Sequence, residues 1–338
     1  MQAYQILPGE NIDGLHCADL QSRPLGTGEV RIRVHAVSLN YRDLMVASGN
    51  YLVTVDEPII PCSDGAGEVI EIGHGVSRYK PGDRVAASFF PCWQDGPTSA
   101  QKIRHALGGD VDGMLAQEVC LDQDAVVPLP DTLSYVDACT LPCAGVTAWN
   151  AIFVSSNNVK PGDTVLLLGT GGVSVLGLQI AKAAGLSAII TSSSDQKLQR
   201  ARELGADHTI NYTTTPEWHE EVLRVTDGQG ANVVLEVGGK GTVNRSVLAA
   251  AMGGTVAIIG GVSGFGGEVN PAALLSGAKR MVGIFVGSRA MLENVIRFAQ
   301  VTDLKPVVDR VFPFHLAQEA YRYMESGSHF GKVVIAVT

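Results

Sequence analysis

Long basic runs are missing from this 338-residue chain, in which 25 Lys and Arg stand against 34 Asp and Glu for a formal net charge of −9. Nucleic acid and anionic membrane both select clustered Lys and Arg, so neither is expected as a partner. None of the cysteines Cys17, Cys62, Cys92, Cys120, Cys139 and Cys143 forms a C-x-x-C pair. Their scatter through apolar and turn contexts fits free thiols in a reducing compartment. The start, Met1-Gln2-Ala3-Tyr4, lacks a basic stretch followed by an apolar core, so no signal peptide is expected. The apolar runs are strand-length or interrupted by glycine, too short to span a membrane. The cytoplasm is the expected location.

What the chain does have is apolar mass: 46% hydrophobic against 17% charged residues. Its length suggests two domains with ample core. Up to about residue 130 the pattern is β-rich, with strand candidates at 29–37, 65–72, 83–88 and 114–121. Segment 89–113 shows little periodicity, and loops of that length are usually functional or lobe-like. Residues 137–154 read as an apolar helical stretch. Strand candidates then follow at 164–168, 188–191, 208–211, 232–237, 255–259 and 280–287, separated by helical segments. This alternation predicts an α/β fold with a doubly wound parallel sheet.

The strand Thr164-Val165-Leu166-Leu167-Leu168 runs into Gly169-Thr170-Gly171-Gly172-Val173-Ser174 and then a helix. Turn glycines allow the backbone close to a pyrophosphate, and a helix N-terminus offers free N–H groups and a positive dipole end. Ser174 occupies the third glycine position of G-x-G-x-x-G, which weakens the pattern. The second strand at the βαβ distance restores it. The alternative is an ordinary tight βα turn that binds nothing. Where an acid would grip the ribose 2′-hydroxyl, the chain has Thr191-Ser192-Ser193-Ser194, which leaves room for a 2′-phosphate. Lys197 and Arg200 follow and would supply charge, so NADPH is expected over NADH. Asp195 is expected to cap the helix that begins there, with Ser194 as competitor. Gly238-Gly239 and Gly260-Gly261 fall at the carboxyl ends of the fourth and fifth strands, where ligands bind in open α/β sheets.

Several segments together resemble the medium-chain dehydrogenase/reductase superfamily over nearly the whole chain. They are Ser38-Leu39-Asn40-Tyr41-Arg42-Asp43, Cys62-Ser63-Asp64-Gly65-Ala66-Gly67, Lys80-Pro81-Gly82-Asp83-Arg84-Val85, Leu141-Pro142-Cys143-Ala144-Gly145-Val146-Thr147-Ala148, Leu204-Gly205-Ala206-Asp207 and Gly331-Lys332-Val333-Val334. The resemblance implies a GroES-like catalytic domain (1–145 and 287–338) and a Rossmann nucleotide-binding domain (146–286). It also implies cofactor contacts from Thr147, Tyr212, Phe285 and Val286, beside Gly169, Gly171, Gly172, Val173, Ser192, Ser193, Lys197, Gly238 and Gly260. Zinc enzymes of this superfamily hold their catalytic metal with Cys, His and Cys. By motif alignment those positions are Asn40, Ser63 and Cys143, with Asp64 replacing the adjacent Glu. Asn and Ser are poor zinc ligands, and segment 89–113 has only Cys92 where a structural zinc lobe needs four cysteines. The chain therefore resembles the zinc-free quinone oxidoreductases and enoyl reductases, and no metal is expected.

Without a Lewis acid, hydride delivery is easiest to an acceptor that is already activated, a quinone or an α,β-unsaturated carbonyl, with hydrogen-bond donors near its oxygen. The candidate donors are Asn40, Tyr41 and Tyr51. Arg42 is expected to pair structurally with Asp43 or Asp64. Met45 stands where similar quinone reductases carry a second tyrosine, which points to a more apolar pocket, and Trp93 is expected at its entrance. The leading expectation is an NADPH-dependent reductase of a small-molecule enone, quinone or similar acceptor. The alternatives are a zinc-free alcohol dehydrogenase acting on an aldehyde or ketone, and a cofactor-binding structural or sensor protein with little turnover. The apolar segment Arg280-Met281-Val282-Gly283-Ile284-Phe285-Val286 would form a sheet edge. Relatives pair that edge across a two-fold axis, so a homodimer is expected.

Overall fold

The computed structural model describes residues 1–51, 56–156 and 158–338. The chain divides into two compact units, Met1–Val146 with Gly287–Thr338, and Thr147–Val286. No helix among the described residues is long and apolar enough to cross a membrane.

The Thr147–Val286 unit is built on a six-stranded, all-parallel sheet in the order His208–Asn211, Ser187–Ser192, Thr164–Leu167, Ala231–Glu236, Ala250–Ile258, Arg280–Gly283. The order reverses between Thr164–Leu167 and Ala231–Glu236, which makes the crevice outside their carboxyl ends the natural ligand site of this Rossmann-like topology. The central strands are apolar runs because both their faces are covered: Val165, Leu166, Leu167, Val233, Val234 and Leu235 are wholly buried. Helix Gly172–Ala183 rides close on this sheet at Gly177, where a Cβ would come within 2.9 Å of Leu167 and 3.1 Å of Leu235. The sixth strand is shorter than expected. It ends at Gly283, with one further ladder bond from the Ile284 N–H to the Ile258 carbonyl at 2.8 Å.

The other unit is GroES-like and β-rich. A seven-stranded sheet runs Val308–Pro313, Lys332–Ala336, Glu29–Ser38, Asp64–Ile72, Arg84–Ala87, Val126–Pro128, with Glu118–Asp122 also paired to Glu29–Ser38. The C-terminal strand lies antiparallel to Glu29–Ser38 with Val334 opposite Ser38, and the Leu39 N–H donates to the Val333 carbonyl at 3.0 Å. That register brings Lys332 to the segment that follows residue 38. The expected strand at 114–121 begins only at Glu118. Before it, the N–H groups of Met114 and Leu115 bond the carbonyls of Cys62 and Pro61 instead. The apolar stretch 137–154 is not one regular helix. It alternates α-turns at Tyr135–Ala138 and Val146–Trp149 with π-helical turns at Leu141–Gly145 and Asn150–Val154.

Candidate functional site

In the Rossmann-like unit, the carboxyl ends of the strands carry the residues expected to meet a dinucleotide. Gly169 has φ +73°, and neither it nor Gly171 would bring a Cβ within 4 Å of any atom, so both leave the open cradle that a pyrophosphate requires. Gly171 is the N-cap of helix Gly172–Ala183, and no side chain caps that end, so the first-turn N–H groups, including those of Gly172 and Val173, face outward. Ser174 is buried, and its hydroxyl donates to the Leu168 carbonyl at 2.6 Å. It thus ties the helix to the strand end, while Gly177 supplies the close approach.

Flanking that turn, Ser192 is buried and Ser193 exposed. Ser194 rather than Asp195 caps helix Asp195–Glu203, accepting from the Lys197 N–H at 3.4 Å. Asp195 instead accepts from the Asn211 amide at 2.8 Å. Lys197 and Arg200 lie on that helix, both half-buried. Tyr212 joins this corner through its N–H, which donates to the Ser192 carbonyl at 3.0 Å, and its ring is substantially exposed. Gly260 donates from its N–H to the Glu236 carbonyl at 3.3 Å. Along the sheet edge the candidates run in spatial order from Ser192 and Tyr212, through Gly169–Val173, to Gly238, Gly260 and the exit of the sixth strand. Phe285 and Val286 lie beyond that strand, not within it, and Thr147 is buried at the unit's first residue.

Glu236 organises the loop after the fourth strand and was not anticipated. Wholly buried, its Oε1 accepts from the N–H groups of Gly238 (2.7 Å) and Gly239 (2.9 Å) and from the Thr242 hydroxyl (2.6 Å), and its Oε2 accepts from the Ser246 hydroxyl. The available signal was an acid ending the apolar run Val233-Val234-Leu235 just before two glycines.

The GroES-like unit holds a buried polar cluster. Asn40 precedes the short helix Tyr41–Ala47, and its N–H donates to Asp43 Oδ2 at 2.8 Å. Lys332, only 2% exposed, donates from Nζ to Asn40 Oδ1 and to the Leu39 carbonyl, both at 2.6 Å. Arg42 donates to the Leu107 carbonyl at 2.8 Å, lies 3.5 Å from Asp43, and stacks its guanidinium 4.5 Å from the Tyr51 ring centre and 4.9 Å from that of Phe89. Its expected pairing is therefore with Asp43. Asp64 accepts from the Ser63 hydroxyl at 2.7 Å and from the Cys143 N–H at 3.0 Å. Tyr41 is 49% exposed, whereas Tyr51 is mostly covered.

Burial governs the protonation of this cluster. It pushes the Asp43 carboxyl up to about 6, against the opposing pull of Arg42. Asp64 is also raised by burial, with Lys332 working the other way. The Tyr51 hydroxyl is raised by burial, and the Cys143 thiol far more so, with Asp64 adding to the effect. Two carboxylates thus face two cations. Lys332 escaped the sequence reasoning beyond its place in a motif, although a lysine inside an otherwise apolar strand was a visible signal.

The positions aligned with zinc ligands do not fit a divalent cation. Asn40 Oδ1 is held by an ammonium and the Ser63 hydroxyl donates to Asp64, and neither an amide nor a hydroxyl is a good zinc ligand. In segment 89–113 the Lys102 ammonium bonds the Asp95 and Pro97 carbonyls at 2.7 and 2.8 Å. Trp93 is 3% exposed and donates to the Gly96 carbonyl at 2.9 Å, so it anchors this segment instead of standing at a pocket entrance.

Residues 172–300 match the family described as zinc-binding dehydrogenase, and residues 26–131 the alcohol dehydrogenase GroES-like domain. The chain is 43% identical to a zinc-type alcohol dehydrogenase-like protein of Schizosaccharomyces pombe over 318 residues, 93% of this chain and 92% of the relative. Among solved structures, an NAD-dependent alcohol dehydrogenase superposes with a TM-score of 0.91 at 34% identity, covering 100% of both chains. A quinone oxidoreductase of Pseudomonas syringae superposes with a TM-score of 0.84 at 26% identity, covering 99% of both.

Proposed function

This chain belongs to the medium-chain dehydrogenase/reductase superfamily and is an NAD(P)-dependent oxidoreductase, and on that premise we propose that it reduces activated acceptors, enones or quinones, without a catalytic zinc. The observation that carries the proposal is the Lys332 ammonium on Asn40 Oδ1, which commits a would-be ligand position to a fixed internal cation.

When bound, a nicotinamide cofactor supplies the hydride. The chain's own residues then bind and polarise the acceptor. With Oδ1 taken by Lys332, the donor end of Asn40 is its NH2 group. Tyr41, exposed at the start of the following helix, offers a hydroxyl. Tyr51 is held against the Arg42 guanidinium, whose field favours negative charge building on an oxygen nearby. Such donors suffice when negative charge spreads into an enolate or a quinol oxygen. A simple ketone concentrates it on one atom and demands more. The serines at 192–194 and the charges of Lys197 and Arg200 favour a 2′-phosphate, hence NADPH over NADH.

A second reading, zinc-free reduction of an aldehyde or ketone, draws support from the alcohol dehydrogenase names of the more similar relatives. Product identity separates the two. From an enone, a saturated ketone supports alkene reduction, and an allylic alcohol overturns it in favour of the second reading. We further propose a homodimer in the cytoplasm, paired through the edge strand Arg280–Gly283, where Met281 is exposed. A monomeric mass in solution at micromolar concentration contradicts the pairing.

A further inference from the structure

We propose that Asn150 is a positioning residue for the nicotinamide end of the cofactor site, acting by locking Val286 in a left-handed backbone conformation. The inference rests on the NAD(P) reading above and concerns residues within the Rossmann-like unit alone.

Val286 has φ +53°. Among the described residues with positive φ it is the one β-branched side chain. The branched Cβ clashes with its own backbone in this region, at a cost on the order of 1–3 kcal/mol, and such a conformation persists only where the surroundings over-determine it. The restraint is visible. The Asn150 amide donates to the Val286 carbonyl at 2.7 Å, and both residues are more than nine-tenths buried.

Asn150 is itself fixed at three atoms. Besides the bond from its amide nitrogen, its Oδ1 accepts from the Ser155 hydroxyl at 2.8 Å, and its carbonyl accepts from the Ser155 N–H at 2.8 Å. The last bond closes the π-helical turn Asn150–Val154. Such turns recur at functional positions because they re-aim one side chain out of the helical register. Here the re-aimed side chain reaches the carbonyl 136 residues away.

The locked residue occupies a place where orientation has consequences. The sixth strand ends at Gly283 and its ladder at Ile284. Phe285 and Val286 then leave the sheet at its carboxyl end, the side on which ligands bind. A left-handed residue at that exit turns the peptide plane, and so sets how the wall at Phe285 faces the nicotinamide, which the family resemblance places beside this exit. Released from Asn150, Val286 would relax to negative φ and shift that wall, whereas the glycine turn and the residue 192–194 corner would stay as they are. Ring placement would suffer while adenosine and pyrophosphate binding would not. Misplacement by about 1 Å is enough to cost up to about a hundredfold in rate.

The test compares the wild type with Asn150→Ala, Ser155→Ala and the double variant Asn150→Ala/Val286→Gly. Three readouts serve: NADPH affinity by fluorescence, circular dichroism of the bound dihydronicotinamide band, and kcat per folded molecule. Asn150→Ala is expected to keep NADPH affinity within about threefold, to lose most of the induced dichroism, and to lower kcat about 10- to 100-fold. Ser155→Ala, which loosens but does not remove the lock, is expected to fall between. Glycine enters the left-handed region without strain, so Val286→Gly on the Asn150→Ala background is expected to restore much of the dichroism and of kcat. Wild-type dichroism and kcat in Asn150→Ala would overturn the proposal. So would a loss that Val286→Gly does not relieve. If Asn150→Ala fails to fold, unchanged dichroism in Ser155→Ala overturns it. A wild type that binds neither NADPH nor NADH would instead overturn the cofactor reading beneath it.

Discussion

Lys332 sets its ammonium 2.6 Å from Oδ1 of Asn40, a bond between residues 292 positions apart that the antiparallel pairing of Lys332–Ala336 with Glu29–Ser38 brings together. The bond holds the carbonyl end of the Asn40 amide against a cation and leaves its buried Nδ2 without a hydrogen-bond partner among the described residues. Lys332→Met is expected to lower kcat/KM at least about tenfold, about 1.4 kcal/mol of transition-state stabilisation. Lys332→Arg, which keeps the charge, is expected to retain part of it. Equal activity of wild type and Lys332→Met, measured on folded protein, contradicts the role.

Asp43 gives the cluster a pH signature. Its folded-state carboxyl is pushed up to about 6 from an ordinary 3.8, so between about pH 4 and pH 6 the folded chain binds more protons than the unfolded one. Stability therefore falls as pH rises through this window and levels off above it, as far as this group is concerned. Asp43→Asn should flatten the dependence of Tm on pH across the window. An unchanged slope would show that the carboxyl titrates normally.

Glu236 gathers four donors onto one buried carboxylate. Replacing it by Ala strands the Gly238 and Gly239 N–H groups and two hydroxyls, each at about 1–3 kcal/mol if no water takes the place. The expected outcome for Glu236→Ala is a clear loss in Tm together with weaker NADPH binding, because the loop it holds lies at the ligand edge of the sheet. Glu236→Gln should be milder, since an amide oxygen can still accept from the two backbone groups.

Much of this was legible before the structure. The glycine turn is a local signal, because strand, turn and helix are adjacent in sequence, and Gly169 and Gly171 lie between strand Thr164–Leu167 and helix Gly172–Ala183 while Ser192 ends the next strand. The polar cluster was only half legible. Asn40 and Ser63 were visible as departures from a ligand set, but Lys332 meets Asn40 only through the antiparallel pairing of the C-terminal strand with Glu29–Ser38. Trp93 illustrates the converse error. A large aromatic in an irregular segment suggests a pocket rim, yet its indole N–H has a partner three residues on at Gly96, and the ring packs inside. Val286 carried no local sign of its left-handed backbone, because a β-branched residue is the last that propensity would put there.

Cofactor choice is tested at Lys197. If it faces a 2′-phosphate, Lys197→Ala should weaken NADPH about tenfold, a charge-assisted bond's worth, and leave NADH nearly unchanged. Equal losses for the two cofactors, measured by fluorescence titration, would remove the basis for preferring NADPH.

The central claim, reduction of an activated acceptor without zinc, is tested most directly by NADPH oxidation in the presence of a chelator, with an enone, a quinone and the matching simple ketone offered in parallel. The account predicts turnover of the enone or the quinone, unaffected by chelator, and none of the simple ketone. Turnover of the simple ketone that the chelator abolishes would contradict it, and would mean that a metal works in this protein despite the ammonium on Asn40.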